Sequence, residues 1–400
     1  MKTLKYLAAS TMLAICSAAN AQDIKTDLAN LEQVVKANSG NPAAYKANLK
    51  AMDKLYKKDP EALTKISKLF YQYDDTLNSR LYAEKAIAIV EKKKLRLCEP
   101  FIILGDLRYI DGDPGTAASW YERAKMNDDK NAKAYEKVAG VYRKANPKAA
   151  VDQLKELEAI DPTYPANAVA AGFYYDAALA GNTKYWANAL DLYKKEDLNK
   201  FRDEDYPRYV YVLYRFKNYK GMLEDCIDVA DKALQKYPDD VTCNRYKMYA
   251  LELQGQHADA VAAGEKLFKC EKYVEYPDDY KVLGQAYCGS QDWDKAEEAL
   301  NKSLSLKEDQ PEISKYKSEI AYAKGDTIQG LQLLETYVQT YEDADLTDYL
   351  SLTRKYDDTI GDMEVSAEKV ELQKKQNAIF DTMLEKFDGK PPLYIYFVMA

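Results

Sequence analysis

A pattern of small and large residues recurs along this chain at intervals of about 34 residues, which restricts it to architectures built by repetition. Leu283-Gly284-x-x-Tyr287 is followed at helical spacing by Ala296, Leu300 and Ser303, with Pro311 just beyond. One step back, Tyr246 to Gly255 with Ala260, and one step forward, Tyr316 to Gly325 with Gly330, share a Tyr-Lys start and a glycine turn. Upstream, Leu104-Gly105 precedes Ala117, Tyr121 and Ala124, and Val138-Ala139-x-x-Tyr142 precedes Ala150 and Leu154. Ala171-Gly172-x-x-Tyr175 and Leu213-Tyr214 continue the ladder, and Phe70-Tyr71 begins it. Small residues let two antiparallel helices approach closely, while large apolar ones fill the layer between neighbouring pairs. With 16 Gly and 13 Pro in 400 residues, the composition also favours helix over strand.

The ladder resembles the tetratricopeptide repeat, L-G-x-x-Y…A-x-x-x-F, in order and spacing. That resemblance implies an all-α fold, a right-handed α-solenoid of antiparallel helix pairs. The expected organisation is a leader over 1–21, N-terminal helices forming a divergent or capping repeat over 22–62, and about eight repeats over 63–344. Residues 345–400 should be a divergent helical region, with one long amphipathic helix over 366–387. An insertion is expected around 195–205. The apolar run from Pro391 to Ala400 reads as the first helix of another unit stopped midway, where a solenoid would need a polar cap. The expectation is that the natural chain continues past it.

Met1 to Lys5 is a short basic lead, Tyr6 to Ala18 is largely apolar, and Ala19-Asn20-Ala21 is a small-x-small site before Gln22, the layout of a secretory leader. Ile15 is bulky beside Cys16, so lipid anchoring fits less well than an exported product, most simply periplasmic, with secretion as the lesser alternative. Cleavage would remove Lys2 and Lys5 and take the formal charge from -8 to -10, which argues against a nucleic-acid partner. No later stretch is apolar for the ~18 residues a membrane span needs.

The chain holds 35 Tyr and one His. A lone imidazole, His257, cannot build a His-rich metal site, and its Gln254-Gly-Gln-His257 setting reads as a turn between helices. G-x-S-x-G, G-x-x-x-x-G-K-[ST], H-E-x-x-H and G-x-G-x-x-G are all missing, so no catalytic group, cofactor or metal is assigned. Asp111 to Glu122 superficially resembles a calcium loop, but Thr116 stands where the sharp turn needs Gly, and an acidic turn capping the next helix explains it more simply. Of the cysteines outside the leader, Cys243 and Cys270 are candidates for a disulfide, being at the start of one helix and the end of its partner. Small buried apolar residues are the alternative.

The family resemblance further implies that first helices line a concave face that holds peptide segments. Its groove positions fall on Tyr109, Phe173, Arg208, Tyr211, Arg215, Arg245, Tyr249, Lys281, Lys315 and Tyr322. Arg and Tyr there point to a protein or peptide partner that is acidic or aromatic. The clamp that some members use for a C-terminal carboxylate lacks its paired asparagines, since Asn244 stands alone. The function expected is a non-catalytic interaction scaffold of the cell envelope. The alternative is a glycan-binding module using exposed aromatics, with Trp120, Trp186 and Trp293 as contributors. The leader reading predicts a mature protein that begins at Gln22. Intact-mass measurement of protein from the exported fraction tests this, and recovery of the uncleaved chain from the cytoplasm would contradict it.

Overall fold

The computed structural model describes residues 24–38 and 41–387, in two compact units that divide between Arg202 and Asp203. The leader with Cys16 and the apolar run at 391–400 lie outside the described residues. Helices are the only regular elements among the described residues.

The first unit opens with α1 (Ile24–Ala37), a 3-10 turn (Pro42–Tyr45) and α2 (Lys46–Tyr56). Four antiparallel pairs follow: α3 (Pro60–Gln72) with α4 (Thr76–Lys93), α5 (Glu99–Ile110) with α6 (Pro114–Asn127), α7 (Ala132–Ala145) with α8 (Pro147–Ile160), and α9 (Ala166–Leu179) with α10 (Tyr185–Lys194). A 3-10 turn (Leu198–Lys200) fills the expected insertion. The second unit has five pairs: α11 (Asp205–Arg215) with α12 (Met222–Lys236), α13 (Val241–Leu253) with α14 (His257–Leu267), α15 (Pro277–Gly289) with α16 (Trp293–Leu306), α17 (Ile313–Ala323) with α18 (Thr327–Thr340), and α19 (Leu346–Gly361) with α20 (Ala367–Lys386).

The turns are written in the sequence. Asp113 accepts a hydrogen bond from the Thr116 N–H at 2.9 Å, and Pro114 behind it supplies a preset first helical residue, so the acidic stretch is the capped turn expected of it. Asp111 of the same stretch pairs with Arg80 at 2.9 Å. Gly255 and Gly325 turn the chain from α13 to α14 and from α17 to α18 with φ of +71° and +86°, a region that costs a residue with a side chain about 1–2 kcal/mol.

Pairs close where one helix carries almost no side chain. A Cβ on Gly105 would lie 2.3 Å from the Tyr121 ring, and one on Gly284 would lie 2.7 Å from Leu300 and 3.3 Å from its backbone nitrogen. Tyr121 has no room to yield, because it is buried and its hydroxyl donates to Asp106 at 2.7 Å. Ala117, Ala124, Ala150, Ala260 and Ala296 are buried on the second helices of their pairs. Neighbouring pairs are then tied by ions roughly one repeat apart, as in Arg96 to Asp129 at 2.7 Å, Lys133 to Glu99 at 2.9 Å and Lys137 to Asp106 at 2.6 Å. Each of these pairs reaches solvent, so register rather than stability is the main effect.

Gly105→Ala should therefore destabilise the protein by about 1–3 kcal/mol, as overpacking does. Gly140→Ala, on α7 with open space around it, should be neutral or stabilise by up to about 1 kcal/mol. Urea denaturation followed by helical ellipticity compares the two. Equal effects would contradict the close-approach account.

Candidate functional site

Within the second unit, α11 lies against α13 and α13 against α15, so three first helices stand side by side. Their packing is organised around one carboxylate. Asp279, in the first turn of α15, is fully buried and accepts from Arg245 Nε at 2.7 Å and Nη2 at 2.8 Å. The Tyr249 hydroxyl, one turn along α13, donates to the same carboxylate at 2.7 Å. Burial works against the Arg245 charge, but Asp279 outweighs it and the guanidinium stays firmly protonated. Burial, reinforced by the Asp279 charge, pushes the Tyr249 phenol far above its ordinary range.

This hub braces a tyrosine-lined cleft of about 660 Å³. Tyr211 meets Tyr246 edge-on at 5.1 Å, Tyr214 lies 5.0 Å from Tyr246 and 5.6 Å from Tyr249, and Tyr246 meets Tyr249 edge-on at 5.6 Å. Tyr276, just before α15, lies over the Arg245 guanidinium at 5.6 Å. Lys217 sits 4.7 Å over the Tyr214 ring, and Arg215 completes that end. Burial pushes the Tyr214 phenol up to about 12, helped by nearby Cys226 and Asp278. The lining also includes the exposed Val274.

Of the positions singled out in the sequence, Tyr211, Arg215, Arg245 and Tyr249 come together in this cleft. Arg208 is on α11 but outside the lining. Lys281 is paired with Asp278 at 2.9 Å and Glu312 at 2.7 Å, and Lys315 with Asp348 at 2.7 Å. Arg245, Lys281 and Lys315 are thus each engaged by an acid of the next pair. Tyr322 packs against Gly330 and lines a separate cleft of about 410 Å³ with Lys355. In the first unit, Tyr109 is exposed on α5, and Phe173 lies under Arg143 at 5.4 Å. Sequence reasoning missed Tyr214, Tyr246, Lys217, Val274 and Tyr276. The usable signal was the Tyr214 and Tyr246 pair, each within three positions of a residue already chosen on the same helix.

The disulfide expectation is corrected. All five cysteines of the described residues are buried free thiols, and Cys270 Sγ accepts from Asn244 at 3.6 Å while donating to the Lys266 carbonyl at 3.4 Å. Burial pushes the Cys226 and Cys288 thiols up to about 12, which makes them unreactive packing groups. The tryptophans do not share an exposed face: Trp186 is buried edge-on to Tyr175, Trp120 packs against its unit's core beside Phe101, and Trp293 packs against the core around Leu283. His257 begins α14 half-buried, with Nδ1 2.9 Å from Glu252 and its ring against Gly289, so it is more engaged than a free turn residue.

Removing Arg245 strands a buried carboxylate. Arg245→Ala should cost about 3–5 kcal/mol, and adding Asp279→Ala should restore part of it. Chemical denaturation of the single and double variants checks this; an Arg245→Ala cost below about 1 kcal/mol would contradict the hub.

No protein-family model matches the sequence, and no curated protein matches it. Among solved structures, the chain is similar to YrrB, described as a TPR protein with an unusual peptide-binding site, at 15% identity and a TM-score of 0.38 over 52% of this chain and 99% of that one. It is also similar to Pseudomonas aeruginosa pilF at 13% identity and a TM-score of 0.36, over 65% and 97% of the two chains. A tetratricopeptide repeat protein from Parabacteroides merdae matches at 16% identity and a TM-score of 0.35, over 65% and 98%. What decides the fold is the chain itself. Its period, its small-residue contacts and the stacked antiparallel pairs within each unit make it an all-α, tetratricopeptide-like helical-repeat protein.

Proposed function

We propose that the protein is a non-catalytic interaction scaffold that holds an extended segment of a protein partner in the cleft formed by α11, α13 and α15. One observation carries this reading: tyrosine faces, two cations and an exposed apolar rim converge on a single surface whose geometry is preset by a buried ion pair. Rigid amphipathic rings give contact area at low cost in lost side-chain freedom. The partner segment is acidic or aromatic, since Lys217 and Arg215 offer cations beside those rings. The leader at 1–21 supports an envelope setting, exported and periplasmic. With Trp186 buried and Trp120 and Trp293 packed against the cores, the glycan-binding alternative keeps only the exposed tyrosines as support.

The test is photocrosslinking in the native compartment, with a benzophenone amino acid replacing Tyr211 or Tyr276, or replacing exposed Asp228 on α12 as the control. Protein adducts are expected from the two cleft positions and not from the control, and Arg215→Glu should abolish them. Adducts from Asp228 alone, or none from either cleft position, would overturn the reading.

A further inference from the structure

We infer that the cleft recognises a proline-rich segment in the extended polyproline conformation with a carboxylate at one end, a specification that rests on the peptide-holding role proposed above. Two carboxylates line the cleft, and each already accepts from a neighbouring side chain: Glu275 from the Tyr280 hydroxyl at 2.8 Å and from Lys302 at 3.0 Å, and Asp278 from Lys281 at 2.9 Å. The other charged groups are Arg215, Lys217 and Arg245, which can only donate. An ordinary extended segment would bring backbone N–H groups to a surface where cations outnumber carboxylates and both carboxylates already have donors. A proline-rich one brings carbonyl acceptors and few N–H donors.

The Tyr246 ring stands at 65° to Tyr211 and at 80° to Tyr249, so the packed rings lining the cleft lie in different planes. An aromatic-lined surface of this kind suits a flat, rigid pyrrolidine laid against it better than a long flexible side chain. The prolines also arrive already ordered, which lowers the entropic cost of docking. Three helices at ~8–10 Å spacing give a path of roughly 20 Å. At ~3.1 Å per residue, about six residues of polyproline cover it.

Among the described residues Lys217 has no carboxylate partner; its contacts are the Tyr214 hydroxyl at 3.4 Å and the Tyr214 ring. A carboxylate on the ligand would complete it. Val274, two positions from Tyr276 in the same lining, is 76% exposed and offers a place for an apolar side chain.

The experiment is isothermal titration of the protein with three synthetic capped hexapeptides: Asp-Pro-Pro-Pro-Pro-Val, Asp-Ala-Ala-Ala-Ala-Val and Lys-Pro-Pro-Pro-Pro-Val. The first should bind, and the other two should bind at least about tenfold more weakly. Tyr246→Ala and Lys217→Glu should each weaken the first peptide by about tenfold or more, in keeping with loss of an aromatic anchor or an ion contact. Lys217 is partly exposed on the surface, so the Lys217→Glu variant still decides the question if Tyr246→Ala fails to fold. Equal binding of the alanine peptide, no binding of the proline peptide, or an unaffected Lys217→Glu variant overturns the inference. If the proline peptide fails while the cleft still yields partner crosslinks, the peptide-holding role stands and only the proline specification falls.

Discussion

The structure depends on close approach between paired helices at positions that have no side chain to spare. Gly105 against Tyr121 and Gly284 against Leu300 bring two helix backbones near enough for alanines on the second helix to be fully buried. A pair made this way is thin. It cannot bury its own outer faces, so each pair is stable only against its neighbours, and the stack within a unit follows from that shortage of core. Because α11, α13, α15 and α17 touch in turn within the second unit, a site on their exposed sides is assembled from successive pairs rather than from a single one.

Asp279 shows how such a surface acquires shape. A buried carboxylate costs several kcal/mol in lost solvation, and the Arg245 fork and the Tyr249 hydroxyl offset that cost without a large surplus. The return is geometric. Arg245 is fixed beneath Tyr276 and Tyr249 beside Tyr246, so the buried ion pair sets the position of the tyrosine walls. An aromatic surface held in this way offers contact area at low cost in lost side-chain freedom.

The helix pairs were legible because their signal repeats: one Leu-Gly-x-x-Tyr means little, while the same small residue returning every 34 or so positions names the contact it makes. The four cleft residues legible in the sequence, Tyr211, Arg215, Arg245 and Tyr249, followed from that periodic frame. The state of the cations did not. Arg245, Lys281 and Lys315 looked like a basic stripe because sequence shows charges but not their distances, yet Asp279, Glu312 and Asp348 stand 34, 31 and 33 positions on, about one period. A search for an acid one repeat after each cation would have found all three. The Cys243 and Cys270 pairing failed for a related reason: antiparallel ends come near each other, but a disulfide needs a matched pair of Cβ directions, which periodicity does not encode.

The central claim is that the partner is held by the first helices of the second unit. Hydrogen exchange of the protein, alone and in complex with the partner recovered from its own compartment, tests that claim most directly. The account predicts slowed exchange in the C-terminal turn of α11, along α13 and in the 270–276 segment, with α12, α14 and the first unit unchanged. Protection confined to α12 and α14, or to the first unit, would contradict it.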